Sequence, residues 1–533
     1  MSNLSKKNRW LLTILSGVLM GIAFPYTGSM FFLGFIALVP LMLVEHFISA
    51  KNYRSRKVFV HAYTSFFLYN LITTWWILHA SLGGACMAVL ANSLLMALTF
   101  QLFHLSKKHL GTKEGHIALI ILWLGFEYAH FHWEVSWPWL NLGNLFADVP
   151  QIVQWYSYSG ILGGTLWIIL SNILIFRIAR NLWFKKESFK IQTPLIFGIG
   201  LCLIVPIAIS IGMFFNYEEK GIEKKILAMQ PNMDAYTEKF RISNQAHAEI
   251  LTEDADKNGA NSCDLILAPE TAIPFSFGED EARNHAFYHI LQNRVDAWKT
   301  PFLIGTSTQQ FFLEKNSPAS RKLMDGPGYI EHYNSSMMLL PGEKPSFLHK
   351  SKLVLGVEKV PFIGLFPFMD ELAINLDGTS GTLGIEKEPM IYSSPFPFAP
   401  VICYESIYGE FVGEQCEKGA EIIAIITNDG WWQDTPGYRQ HFAFARLRAI
   451  ENRRDVVRSA NTGTSGFINQ RGDVLVKTAY NEKENVIHTV RLNKKVSFYA
   501  KHGDVLGRTS AFVSVFLLFY VFMRRFKAKH KTL

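Results

Sequence analysis

Pro400-Val401-Ile402-Cys403-Tyr404-Glu405 is the stretch on which the reading of this chain turns. A short apolar run ends at a cysteine, and a carboxylate follows two residues later. Upstream, Leu265-Ile266-Leu267-Ala268 leads into Pro269-Glu270-Thr271-Ala272-Ile273-Pro274, where an isolated glutamate emerges from a second strand-like run. Between them, Leu348-His349-Lys350-Ser351-Lys352 carries a lysine. A thiolate is a strong nucleophile that needs a base or a nearby cation near neutral pH. Glu270 can supply the base, Lys350 a cation beside a developing oxyanion, and Cys403 the sulfur. Each residue also has an ordinary reading, since a cysteine in an apolar strand is commonly a small buried hydrophobe.

The surrounding block, residues 217–505, alternates strand and helix patterns. Ile226–Met229, Leu265–Ala268, Phe302–Gly305, Ser336–Leu340, Pro400–Cys403, Ile422–Thr427 and Val456–Ser459 read as buried strands. Helical patterns cover Thr237–Asp254, Glu281–Lys299 and Arg439–Asn452. Alternation of this kind predicts an α/β sandwich domain. Asp434-Thr435-Pro436-Gly437 and Gln470-Arg471-Gly472-Asp473 are turn signals, and Gly356–Ser393 reads as loop.

Outside this block the chain changes character. The 533 residues are 49% hydrophobic and only 18% charged, and most apolar residues fall within 10–216. Spans of roughly 20 apolar residues cross a bilayer. Candidates are Trp10–Phe24, Met30–Phe47, Phe59–Leu78, Ala85–Phe103, Ile117–Phe131, Gly160–Phe176, Pro194–Phe215 and Thr509–Met523. Lys6, Lys7 and Arg9 before the first also fit a cleaved signal peptide, but an uncleaved anchor gives a consistent topology. Basic residues gather before the first span and at Lys51–Lys57, Lys107–Lys113, Arg177–Lys186 and Arg524–Lys529, which are alternate connections. The positive-inside rule then predicts a membrane domain at 1–216 with seven spans and an extracytoplasmic polar block at 217–505. An eighth span and a basic cytoplasmic tail follow at 506–533. The +8 net charge is thus accounted for by topology, and no nucleic-acid recognition motif accompanies it.

The five cysteines show no zinc spacing and no disulfide framework, although Cys263 and Cys416 can in principle pair. Neither a metal nor a cofactor is expected. Glu127 falls inside the fifth span, where an ionisable group should face a partner or a wet cavity. The following loop, Trp137-Pro138-Trp139-Leu140-Asn141-Leu142-Gly143, is aromatic and interrupted by proline.

The polar block resembles the nitrilase, or carbon–nitrogen hydrolase, superfamily, and together with the spans it is similar to the apolipoprotein N-acyltransferase family within it. The resemblance rests on Pro269–Pro274, on Lys350 with Glu358 eight residues on, and on Ile402-Cys403-Tyr404-Glu405. It extends through Thr427-Asn428-Asp429-Gly430-Trp431-Trp432, Gln440–Glu451 and Arg458-Ser459-Ala460-Asn461-Thr462-Gly463. It implies a four-layer αββα sandwich with Glu270, Lys350 and Cys403 as catalytic triad and Glu358, Tyr404 and Glu405 as supporting residues. It also implies a thioester acyl-enzyme. The acyl group would come from a phospholipid, typically phosphatidylethanolamine, and pass to the α-amine of an S-diacylglyceryl apolipoprotein. The setting would be the periplasmic side of a bacterial inner membrane. Three positions depart from the pattern. Leu355-Gly356-Val357 precedes Glu358 where relatives have Pro-Phe-Gly, His130 stands in place of arginine, and the aromatic that relatives carry after the first strand of the block has no fixed counterpart, Phe240 and Tyr236 being the candidates. A membrane-tethered amidase that releases its acyl group to water is the competing reading.

Overall fold

In the computed structural model, which describes residues 4–234, 237–324, 326–364 and 381–530, all eight apolar segments are helical. Tyr236 lies outside the described residues, as does part of the stretch read as loop at Gly356–Ser393. The chain divides into two compact units, one formed by residues 1–78, 85–216 and 504–533 and the other by 79–84 and 217–503.

The first unit is helical: α1 Lys6–Ala23, α2 Val39–Ala50, α3 Arg56–Thr74, α4 Leu82–Leu110, α5 Thr112–His132, α6 Tyr156–Trp183 and α7 Thr193–Asn216, with a C-terminal helix at Val505–His530. The Ser5 hydroxyl caps α1 by accepting from the Asn8 N–H at 3.2 Å. Five helices among the described residues are long and apolar enough to cross a membrane: Phe31–Ala50, Leu82–Leu110, Tyr156–Trp183, Phe189–Asn216 and Phe498–Lys527. The other three predicted spans lie in α1, α3 and α5, which carry buried polar groups such as Thr13, Asn70 and Glu127.

Those polar groups are paired inside the unit. Glu127 accepts from the Trp123 indole at 3.0 Å, the Leu142 N–H at 2.8 Å and the Thr165 hydroxyl at 2.6 Å. Three neutral donors therefore partner this carboxyl group, and they tie α5 to the aromatic loop and to α6. His130 does not join them; its Nδ1 faces the Trp133 indole at 3.2 Å and the Trp137 N–H at 3.3 Å. Lys107, counted above among the connecting basic residues, is buried in the last turn of α4 and pairs with Glu45, which also meets His104 at 2.7 Å.

The second unit begins with β1 Ile222–Ala228, α8 Asn244–Lys257, β2 Leu265–Leu267, β3 Ile273–Gly278, α9 Ala286–Trp298 and β4 Phe302–Phe312. It continues with β5 Arg321–Lys322, β6 Tyr329–Leu339, β7 Ser346–His349, β8 Phe398–Ile402, α10 Gly409–Glu417, β9 Ile422–Thr427 and α11 Pro436–Asn452. The last elements are β10 Val456–Ala460, β11 Gly466–Ile468, β12 Val474–Lys477, β13 Val486–Leu492 and the short α12 Phe498–His502. The strands form an eight-stranded sheet in the order β13-β1-β2-β4-β6-β5, with β3 on β4 and β7 on β6, and a five-stranded sheet, β12-β11-β10-β9-β8.

Alternation along the strands builds the layers. Leu227, Ile266, Phe302 and Ile304 face α8 and α9 in one core, which also holds Leu251, Leu291 and Val295. Their neighbours Ile226, Leu265, Leu267 and Leu303 face Phe398, Ile402, Ile422, Ile426 and Val457 of the other sheet. Helices α10 and α11 pack on the far side of the second sheet. The result is the αββα sandwich expected from sequence. Because both faces of these strands are covered, they appear in sequence as unbroken apolar runs. Several boundaries differ: β4 and β6 are longer than read, reaching Phe312 and starting at Tyr329, and α11 starts at Pro436. The strand before Cys403 ends at Ile402, α8 starts after the Ser243 cap instead of at Thr237, and α9 starts at Ala286.

Candidate active site

Strand ends from both sheets bring the candidate residues together. Glu270 follows β2, Lys350 follows β7, and Cys403 follows β8. Lys350 Nζ donates to Glu270 Oε1 and to Glu358 Oε1, both at 2.9 Å. Asn334, on β6, repeats this bridge: its Nδ2 donates to the same two carboxylates at 2.8 Å each. The second oxygen of Glu270 accepts from the Asn428 N–H at 3.1 Å, and that of Glu358 from the Val354 N–H at 2.8 Å. Burial opposes the charge on both central groups. Lys350 and the Lys350 and Asn334 hydrogen bonds nevertheless hold the Glu270 carboxyl below its usual range. Glu270, Glu358 and Cys403 in turn hold the Lys350 ammonium well above the usual lysine range.

Cys403 starts a short 3-10 turn, Cys403–Ile407, with φ at +51°. A non-glycine residue in the left-handed region is uncommon and requires support from its surroundings. Here its carbonyl oxygen accepts from the Ser406 hydroxyl at 2.8 Å and from His441 Nε2 at 3.1 Å. His441 lies 3.0 Å from Asp429 through Nδ1, and Asp429 pairs with Arg458 at 2.7 Å. Burial pushes the Cys403 thiol up and the Glu270 carboxylate adds to this, while Lys350 opposes both and the Thr427 hydroxyl reaches the sulfur. The resting site therefore holds a thiol beside an ionised carboxylate, poised for proton transfer between them.

Glu405 holds the lysine's loop and not its ammonium. Its Oε1 accepts from the Ser351 N–H at 2.6 Å and the Lys352 N–H at 3.3 Å, and its Oε2 from the Ile402 N–H at 2.7 Å. One carboxyl thus clips the Cys403 turn to the segment after Lys350. Burial pushes that carboxyl up from 4.5 to about 7. A carboxyl whose value rises on folding binds its proton more tightly in the fold. It contributes no loss of stability below the ordinary range and a growing loss as pH rises through about 7. Glu405→Gln is expected to flatten the fall in stability between pH 4.5 and 7, by on the order of 3 kcal/mol. Thermal melts of the wild type and variant across that pH range check this. Tyr404, the residue after Cys403, is buried and its ring meets Tyr408 edge-on at 5.5 Å.

Gly305 leaves room for the Glu270 backbone. A Cβ on Gly305, in β4, would collide with the Pro269 carbonyl oxygen and the Glu270 Cα. Gly305→Ala is expected to displace Glu270 and lower turnover by about tenfold or more, measured against an unchanged helical signature in far-ultraviolet circular dichroism.

Asn334, Lys239 and the Ser406–His441–Asp429–Arg458 array do not stand out in the sequence as site residues. Asn428, Asp429, His441 and Arg458 fall in the quoted motifs, but their roles there depend on tertiary contacts. Trp431 and Trp432 are half-buried, the latter 5.6 Å from the His441 ring. Cys263 and Cys416 are buried free thiols.

The fold and this constellation define a class, and sequence comparison agrees: the chain belongs to the carbon–nitrogen hydrolase family, whose model matches residues 229–498. Residues 16–174 match the model of the apolipoprotein N-acyltransferase N-terminal domain. Among curated relatives, the apolipoprotein N-acyltransferase of Chlorobaculum tepidum is 29% identical over 509 residues, covering 93% of each chain. That of Geobacter metallireducens is 27% identical over 519 residues, covering 93% of this chain and 92% of its own. An amidase from Nesterenkonia sp. superposes with a TM-score of 0.36 at 13% identity, over 55% of this chain and 97% of that one. With its membrane-spanning helices, the protein is a membrane enzyme of this family.

Proposed function

We propose that the protein is an N-acyltransferase of lipoprotein maturation that works by two-step acyl transfer. In the first step Glu270 takes the proton of Cys403, and the sulfur attacks an ester carbonyl carbon of a phospholipid, phosphatidylethanolamine being the expected donor. Two of the three N–H bonds of Lys350 go to carboxylates, and the third would serve the oxyanion, with the Tyr404 backbone N–H as the expected second donor. The tetrahedral intermediate collapses with loss of the lysophospholipid alkoxide, which regains the proton from Glu270. A thioester on Cys403 remains. In the second step the neutral α-amine of an S-diacylglyceryl cysteine attacks that thioester and Glu270 accepts the amine proton. The amide product leaves and the proton returns to the sulfur.

The observation that carries this reading is the buried Glu270–Lys350–Glu358 cluster beside the Cys403 turn, in a chain that also holds membrane-spanning helices. A thioester is activated relative to an amide, so the transfer needs no nucleotide. The charge pattern of the connections supports a catalytic unit on the periplasmic face of a bacterial inner membrane. The test supplies acyl-labelled phosphatidylethanolamine and a diacylglyceryl-cysteine peptide to the detergent-solubilised protein. Labelled N-acyl peptide is expected; labelled free fatty acid alone would identify a hydrolase.

A further inference from the structure

Lys239 lies outside any regular element, in the turn before α8, yet its side chain is as deeply buried as that of Lys350, each residue being 1% exposed. A buried ammonium needs compensation. Among the described residues no carboxylate lies within ion-pair distance of it. It donates instead to the Glu270 carbonyl oxygen at 3.1 Å and to the Thr271 hydroxyl. Thr271 has φ at +48°. A β-branched residue in that region is a genuine outlier and persists only where its surroundings over-determine it. Lys239 is itself fixed from α8, where His247 Nε2 meets its carbonyl oxygen at 2.8 Å, and its ammonium lies 6.0 Å from the Phe240 ring.

The charges near the sulfur give this clamp a second consequence. Glu270, Glu358 and Lys350 together carry one net negative charge, which disfavours a thiolate. Lys239, whose field reaches both Glu270 and Cys403, brings the group to neutrality. Proton transfer from Cys403 to Glu270 then moves a negative charge between two sites without leaving an excess. We propose that Lys239 is a positioning residue of this active site: a second buried ammonium that clamps the left-handed turn carrying Glu270 and offsets the charge of the Glu270–Glu358–Lys350 cluster, so that a thiolate forms at Cys403. The proposal rests on Cys403 as the nucleophile and not on the identity of either substrate. Among the described residues, the titratable groups that face Lys239 are Glu270 and Cys403, with His247 behind it, and burial pulls its ammonium down to about 8, so it is charged at neutral pH.

The test is the rate of alkylation of Cys403 by iodoacetamide in the full-length detergent-solubilised protein, followed from pH 5 to 10 by mass spectrometry of the Cys403 peptide. Lys239→Met removes charge and donors together, whereas Lys239→Gln keeps the donors and removes only the charge. A thermal melt establishes which of the two is folded. The expected result is a profile displaced upward by about one pH unit, with the rate at pH 7 reduced about tenfold. A folded Lys239→Gln variant whose profile superimposes on that of the wild type would overturn the proposal. Alkylation needs no lipid, so loss of the acyl-transfer reading would leave this result interpretable.

Discussion

Cys403→Ala is expected to abolish acyl-enzyme formation and to lower acyl transfer by on the order of 10⁴- to 10⁶-fold, because removal of a nucleophile leaves only binding and oxyanion stabilisation. The rest of the chain should be little disturbed. The side chain is small, and its turn is held through main-chain contacts, the carbonyl to Ser406 and His441 and the Ile402 N–H to Glu405. Insertion into the membrane, yield and thermal melt should therefore match the wild type while turnover disappears. A variant that still accumulates a thioester on this chain would show that the acyl group is carried elsewhere.

Lys350→Met is expected to have two separable effects. Loss of an oxyanion donor costs roughly 10²- to 10³-fold in the chemical step. Loss of the cation also leaves Glu270 and Glu358 buried with only Asn334 between them, and breaking a buried ion pair on one side costs on the order of 3–5 kcal/mol. The thermal melt should therefore fall together with turnover, in contrast to Cys403→Ala. The melt should recover partly as the pH is lowered, since protonation of the two carboxyls relieves the uncompensated charge. Unchanged turnover in a folded Lys350→Met protein would remove the oxyanion role.

Which parts of this arrangement can be read from sequence follows from where the chain is covered. Strands β1, β2, β4, β6, β8, β9 and β10 are buried on both faces along part or all of their length, so Leu265-Ile266-Leu267 and Ile422–Thr427 are legible as unbroken apolar runs. By contrast β12 alternates half-buried and exposed residues, β13 is mostly half-buried and β5 is two exposed residues, and their sequences, such as Val474-Leu475-Val476-Lys477, do not stand out from loops. The site divides in the same way. Glu270, Lys350 and Cys403 each follow a strand, where a polar residue after an apolar run is conspicuous, and Glu358 keeps a fixed spacing from Lys350. Asn334 is an ordinary polar residue within a long strand, and Lys239 sits in a polar segment that looks solvated. Their burial against Glu270 is a property of the folded sheets. Glu405 is visible in the sequence, but its direction is not: it takes main-chain N–H groups from the loop after β7 and from the end of β8, which are over fifty residues apart in sequence.

The central claim is that Cys403 carries the acyl group between two lipid-bearing substrates. It is tested most directly by incubating the purified protein with phosphatidylethanolamine and measuring the mass of the Cys403 peptide before and after a chase with a diacylglyceryl-cysteine peptide. The account predicts a hydroxylamine-sensitive fatty-acyl adduct on Cys403 that the chase removes, with the same acyl chain recovered on the peptide amine. An unmodified Cys403 peptide during active turnover, or an adduct lost to water at the same rate with and without the acceptor, would contradict it.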